Sequence, residues 1–244
     1  MQPCARCSRA LREARWQHVI KPTQAMAAME NNRLKLSYFD ARGVAETTRY
    51  MLAVTKTPYE DFRYGFTFGT PGDFSTVQRP EFDAAKAAGK LDANLGRLPL
   101  LEVDGQVFGQ SKTIERFVAK RVGMMGANAV EEAQIDCVCE HLRDCKDKYM
   151  KAKANPETKA AYFATEMPEF MAKVEKTCVG PWLCGSKCTL ADAAAFVFVK
   201  EFFDDVESST KAIEGCPKIA AAVEAFGKLP EVKQWQESRP KTMF

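Results

Sequence analysis

The residues with the most chemistry to offer fall in one stretch, Leu98-Pro99-Leu100-Leu101-Glu102-Val103-Asp104-Gly105-Gln106-Val107-Phe108-Gly109-Gln110-Ser111. Pro99 stands where a strand should begin and has no N–H for a ladder. A cis bond there would turn the main chain of Leu98 outward, leaving its N–H and C=O free to pair with a peptide-like ligand. Ser111, with Gln110 just before it, opens a segment whose Ile114, Phe117, Val118 and Val122 recur at helical spacing. A serine capping such an electropositive helix start welcomes a carboxylate. The chemistry on offer is therefore a clamp for a small, peptide-like acid. The same residues also suit a plain strand–turn–strand–helix unit in which Pro99 ends a loop and Ser111 only caps a helix, and the local pattern admits both.

The elements that must position these residues follow from periodicity. Leu100 to Val103 is a short apolar run, Asp104-Gly105 is a hairpin signal because both residues tolerate positive φ, and Val107-Phe108 returns as the partner strand. Upstream, Leu34 to Phe39 alternates as a strand. Arg42-Gly43 reads as a turn, and a helix is predicted from about Val44 to Thr55 with Tyr50, Met51 and Val54 inward. Pro58 to Tyr64 reads as a second strand, which gives a βαβ unit with a parallel pair. Gly65 to Lys90 is broken by Gly69, Pro71-Gly72, Pro80 and Gly89, and is expected to be irregular, as a functional flap or an insertion. The order βαβ, loop, ββα is that of a thioredoxin-like architecture.

Gly123 to Ala129 reads as a linker, and everything beyond it as helix. Ile135, Val138, Cys139, Leu142 and Cys145 form one apolar stripe, and Phe163, Met167, Phe170 and Val174 another, with Pro168 kinking it or starting a new helix. Thr189-Leu190-Ala191-Asp192 resembles a capping box ahead of the apolar run Ala193 to Val199, which reads as a buried central helix. Ile219, Ala222, Val223 and Phe226 predict a helix closed by Gly227, and Val232 with Trp235 a last one stopped by Pro240. Two domains are expected, residues 34–122 and 130–244.

Composition narrows the function classes. The 244 residues are 46% hydrophobic, enough for a substantial core, and a net charge of +3 gives no push toward nucleic acid or an anionic membrane. No apolar run approaches the roughly 20 residues of a membrane span. Nine cysteines, odd in number and scattered, fit a reducing compartment better than a disulfide framework, and most read as small buried hydrophobes. Cys4-Ala5-Arg6-Cys7 has no second Cys or His pair at zinc-site spacing, so no metal is expected. In residues 1–33, Arg6, Arg9, Arg12, Arg15 and Lys21 face the single acid Glu13 before Glu30. That is the composition of an organelle transit peptide, and also suits a disordered extension or sequence upstream of a start at Met26 or Met29.

Leu36-Ser37-Tyr38-Phe39 with Arg42-Gly43 and Ala45-Glu46, Tyr59-Glu60-Asp61, Gly96-Arg97-Leu98-Pro99 with Leu101 to Gly105, Gln110-Ser111, and Trp182-Leu183-Cys184-Gly185 leading into Thr189 to Asp192 form a specific combination. By these motifs the chain resembles the glutathione transferases, most closely their sigma-like class, from about Leu34 to Phe244. The resemblance implies an α/β thioredoxin-like domain followed by an all-α helical domain. It also implies a homodimer, a cytoplasmic place with organelle targeting by the extension as an alternative, and a role in detoxification.

By the same resemblance Tyr38 donates its hydroxyl hydrogen bond to the glutathione sulfur. Ordinary thiols are mostly protonated at neutral pH and the thiolate is the nucleophile, so a donor aimed at sulfur activates it, at about 1.4 kcal/mol per unit of pKa. Leu98, before a cis-Pro99, would pair with the cysteinyl part, and Gln110 and Ser111 would hold the γ-glutamyl carboxylate. Asp144 would reach the γ-glutamyl ammonium of the other subunit's ligand. Relatives hold the glycine carboxylate with a Trp and a Lys, but this chain has no Trp in that loop. Lys90 falls at the lysine position and Lys86 near the missing Trp, with Phe82 as a further candidate, and Arg97 replaces a Gln or Lys that contacts the ligand's main chain. The electrophile pocket would involve Phe39, Ala41, Val44 and Tyr149, the substrates being small hydrophobic electrophiles. Val44 stands where the prostaglandin D synthases of the class have an arginine, and their electrophile-site Trp aligns near Lys151, which disfavours prostaglandin D2 synthesis. Glutathione is then a co-substrate, conjugation the reaction and reduction of organic hydroperoxides a second activity. The alternatives are a glutathione-dependent isomerase and a non-catalytic glutathione or ligand carrier.

Overall fold

The computed structural model describes residues 33–70 and 73–242. The basic stretch before residue 33, with its Cys4 and Cys7, and Pro71-Gly72 lie outside the described residues. Strand β1, Leu34–Phe39, buries Leu34 and Leu36 on one face, as alternation requires. It pairs in parallel with β2, Tyr59–Tyr64, after the crossover helix α1, Glu46–Val54. On its other side β1 pairs antiparallel with β5, Leu100–Val103, which turns through Asp104 and Gly105, both at positive φ, into β6, Gln106–Gly109. The order β2-β1-β5-β6 completes the sheet of the thioredoxin-like unit. Helix α3, Ser111–Arg121, packs back on it.

The stretch from Gly65 to Lys90 departs from the irregular expectation. A two-stranded ribbon, β3 (Thr67–Phe68) with β4 (Val77–Gln78), leads into helix α2, Pro80–Ala87. Pro80 and Gly89, which read as breakers, bracket that helix: proline is tolerated in the first turn, where its missing N–H would have no helical partner, and Gly89 supplies a φ of +72° just past the end. Phe82 and Ala85 turn inward and form a second small core with Tyr64, Leu91 and Leu100.

The rest is helical: α4 (Ala129–Ala152), α5 (Pro156–Ala161), α6 (Met167–Glu175), α7 (Leu190–Val197), α8 (Val206–Lys211), α9 (Pro217–Lys228) and α10 (Pro230–Ser238). Asn128 caps α4 through its side chain, and Thr189 with Asp192 forms the expected capping box on α7, every residue of which is buried. Pro168, which has no N–H to give, sits in the first turn of α6 behind a π-turn at Tyr162–Glu166. Gly227 does not end α9 but lies inside it, because an added Cβ would stand 2.9 Å from the ring of Phe196 on α7. One core runs from Leu34, Tyr50 and Ile114 through Ile135 to Phe196 and Phe226, so the sheet layer and the helices share it. Among the described cysteines all seven are free thiols, four of them buried, and burial pushes Cys145 and Cys178 up to about 11 and Cys184 to about 12.

Candidate functional site

Tyr38 sits near the end of β1, where the chain turns through a short 3-10 stretch, Gly43–Ala45, into α1. The Val44 N–H lies 3.4 Å from Tyr38 Oη and donates to it, a long bond that occupies an acceptor lone pair and leaves the phenolic proton free. Burial raises the phenol above its ordinary pKa, against the smaller opposing pulls of Val44 N–H and Arg49. Tyr38 is therefore a protonated donor at neutral pH. Only glycine fits at position 43: its φ is +46°, and an added Cβ would stand 2.6 Å from Tyr38 Oη.

The turn itself is held by a buried arginine. Arg49 is fully buried, donating from Nη1 to the Ala41 carbonyl at 2.6 Å, and it pairs with Glu46 at 3.2 Å and Asp61 at 3.1 Å. Its guanidinium carbon lies 5.9 Å from the Tyr38 ring centroid. The second oxygen of Glu46 accepts from Trp235 Nε1 and from Arg239, both at 2.8 Å, which ties α10 and its C-terminal flank to α1. Arg239 also pairs with Glu201 at 3.0 Å, and Glu201 accepts from Tyr50 Oη at 2.8 Å and pairs with Arg42 at 2.9 Å. Arg42, Glu46 and Asp61 stand within the sequence motifs, but their partners Arg49, Glu201, Trp235 and Arg239 do not. The network's members are scattered over four elements, so no local pattern reports their pairing.

The clamp stretch is organised by Asn94. The Leu98–Pro99 bond is cis, as the sequence suggested, and buried Asn94 donates to the Pro99 carbonyl at 3.0 Å. Gly109 permits this: a Cβ there would fall 2.2 Å from Asn94 Cβ. Leu98 is half-buried, and among the described residues its N–H and C=O make no main-chain bond. Gln110 precedes α3 at φ +70° and ψ 112°, a region unusual for a residue with a Cβ, of the kind that collects at ligand clamps. Ser111 is the first helical residue and Gln110 the cap, one position earlier than expected, with no side-chain capping bond from Gln110.

The remaining site residues scatter more widely. Lys86, Lys90 and Arg97 are all exposed, and the Lys86 stem lies over Gly96, where an added Cβ would meet its Cε at 2.9 Å. Phe82 is a core residue, its ring 4.9 Å from that of Phe39, and offers no contact to a carboxylate. Asp144 is exposed on α4. Of the four electrophile-pocket residues, Val44 lines a cavity of about 310 Å³ between the Tyr38 turn, α3, α4 and the end of α7. Phe39 points to the opposite face of the sheet, into the Phe82 cluster, because neighbouring strand residues alternate. Ala41 is buried beneath the turn. Tyr149 is buried among Tyr162, Phe163 and Phe203 and donates to Asp204 at 2.7 Å.

The cavity owes its shape to a π-turn at Phe198–Phe202 after α7, which brings Phe198, Glu201 and Phe202 to its wall. Sequence reasoning missed Lys112 and Lys146 there. Lys146 was marked by spacing, since it follows Leu142 by four residues and precedes Tyr149 by three on the inward stripe of α4. Among the described residues no cluster of His, Cys, Asp and Glu suits a metal ion, and no helix is long and apolar enough to cross a membrane.

Residues 143–239 match the family of the glutathione S-transferase C-terminal domain. Glutathione S-transferase S1 of Drosophila melanogaster is 31% identical over 85% of this chain and 79% of its own length. The hematopoietic prostaglandin D synthase of Gallus gallus is 30% identical over 85% of this chain and 97% of its own. Among solved structures, monomeric Na-GST-3, a glutathione S-transferase of the hookworm Necator americanus, superposes with a TM-score of 0.68 at 28% identity, covering 87% of this chain and all of that one. With this fold and these relatives over most of its length, the chain belongs to the glutathione S-transferase family.

Proposed function

We infer that the protein conjugates the glutathione thiolate to small apolar electrophiles, with Tyr38 as the catalytic residue. The observation that carries this reading is the phenol itself, which accepts from Val44 N–H and is kept protonated by burial, so that its proton is available to sulfur. In this reading residues 34–122 bind glutathione and 130–244 complete the electrophile pocket. The outward main chain of Leu98 pairs with the cysteinyl unit, Gln110 and Ser111 take the γ-glutamyl carboxylate at the start of α3, and Lys86, Lys90 and Arg97 face the glycine carboxylate. The 310 Å³ cavity, to which Val44 contributes, takes the electrophile. Holding both reactants in one cleft lowers the entropic part of the barrier, and the phenol stabilises the charge on sulfur. The same reading makes it a sigma-like, homodimeric, cytoplasmic detoxification enzyme in which Asp144 reaches the partner's ligand.

The test is Tyr38→Phe. Losing one donor to sulfur should raise the bound thiol's pKa by about 1 to 2 units and lower kcat at neutral pH about 10- to 100-fold, leaving the glutathione KM nearly unchanged. The ultraviolet thiolate band of the glutathione complex should shift to higher pH in step. Equal turnover of a chloro-nitroaromatic by both proteins at neutral pH would remove Tyr38 from catalysis.

A further inference from the structure

We propose that the electrophile cavity selects apolar molecules that carry a carboxylate, and that Lys146 on α4 is the residue that pairs with it. The proposal rests on the cavity being the electrophile site of a glutathione transferase, and names its substrate class.

The argument is a matching of charges around the wall. Each acid there already has a partner: Glu115 pairs with Lys112 at 2.8 Å, Glu201 with Arg42 and Arg239, and Asp204 with Lys159 at 2.7 Å. Glu46 is taken by Arg49, Arg239 and Trp235. Lys146 is left over. Among the described residues no carboxylate lies within ion-pair distance of its Nζ, which rests instead 4.2 Å from the ring centroid of Phe202, held at the cavity wall by a cation–π contact. Burial first, and the nearby Lys112 charge second, push its ammonium down to about 8, while Glu115 and Asp147 compensate only in part. Arg42 Nε, buried and without a partner, is a second unsatisfied donor in the same cavity. An unpaired, half-buried cation and an unsatisfied guanidinium nitrogen lining one cavity are costly unless something anionic arrives. Arg143, a further cation on the wall, is paired with Glu140, and Val44, Leu142, Val197, Phe198 and Phe203 supply an apolar surface that suits a hydrocarbon or aryl body.

The experiment compares acids with their neutral esters on the full chain. Binding is read by calorimetry with decanoic acid and methyl decanoate, without glutathione, and turnover with glutathione and either ethacrynic acid or its methyl ester. The wild type should favour the acid over the ester about tenfold in each pair, or about 1.4 kcal/mol. Lys146→Met should abolish that ratio and Lys146→Arg should keep it. Equal affinity for decanoate and its ester in the wild type, no binding of either, or an undiminished ratio in Lys146→Met would overturn the proposal. Acid-selective, Lys146-dependent binding with no glutathione turnover at all would uphold the anion site and sink the transferase reading, so the two failures stay distinct.

Discussion

Gly43 and Tyr38 are coupled tightly enough that the smallest possible change at one is read at the other. Gly43→Ala adds one methyl group that must stand 2.6 Å from Tyr38 Oη, at a φ of +46° that costs an L-residue about 1 to 2 kcal/mol. The expected outcome is loss of about 1 to 2 kcal/mol in the urea transition, with kcat for conjugation falling more than tenfold because the phenol is displaced. Full activity in a folded Gly43→Ala protein would show that the phenol's position does not matter. Residues of this kind were partly legible. Leu98, Gln110 and Ser111 announce themselves by local sequence and Tyr38 by the family resemblance, whereas Asn94, which holds the Pro99 carbonyl, does neither. Its role depends on the absence of a side chain at Gly109, fifteen positions downstream, and no local pattern reports that.

At the scale of elements, the end of α10 acts as a latch on α1 and on the π-turn after α7. Glu201, whose side chain is 4% exposed, is its pivot. Burial, the largest single influence, pushes its carboxyl up, but Arg239, Tyr50 and Arg42 together hold it below the usual carboxylate range. A depressed folded pKa contributes stability that is present above the unfolded value of about 4.3 and is lost as pH falls through the folded one. Glu201→Gln should thus lower stability by about 3 kcal/mol near pH 7, since two guanidinium groups lose their counter-charge. The gap to wild type should narrow as pH falls below the unfolded value of about 4.3 and close below the depressed folded pKa, where wild-type Glu201 is neutral too. Urea midpoints across that pH range check both statements, and a gap independent of pH would mean that Glu201 is not ionised in the fold. Element by element, β1, β2, the Asp104-Gly105 hairpin, α3 and the capped α7 were readable from period and punctuation. Helix α2 was not, because Pro80 and Gly89 were weighed as breakers, although the same two residues are what a helix start and a helix end require.

For the whole molecule, the exposed carboxylate of Asp144 on α4 makes the assembly testable. If the proposed homodimer carries that side chain to the partner's ligand, sedimentation at micromolar concentration should give twice the mass of the chain. Asp144→Asn should then raise the glutathione KM about two- to fivefold at unchanged kcat, the worth of one solvent-exposed ion pair. A monomer with a normal KM would leave Asp144 a solvated charge, and the hookworm Na-GST-3, described as monomeric, makes that comparison direct.

By itself the sequence determined most of the element order, the parallel pairing of β1 with β2 and the β5–β6 hairpin, because periodicity, turn chemistry and caps act over a few neighbours. Tertiary structure alone decided which side of the sheet Phe39 faces, why Arg49 and Glu46 can be buried, and that Lys146 is left without a partner at the cavity wall. Those outcomes depend on what stands opposite a side chain, and the electrostatic worth of a charge is set by which other charges the fold has already spent nearby.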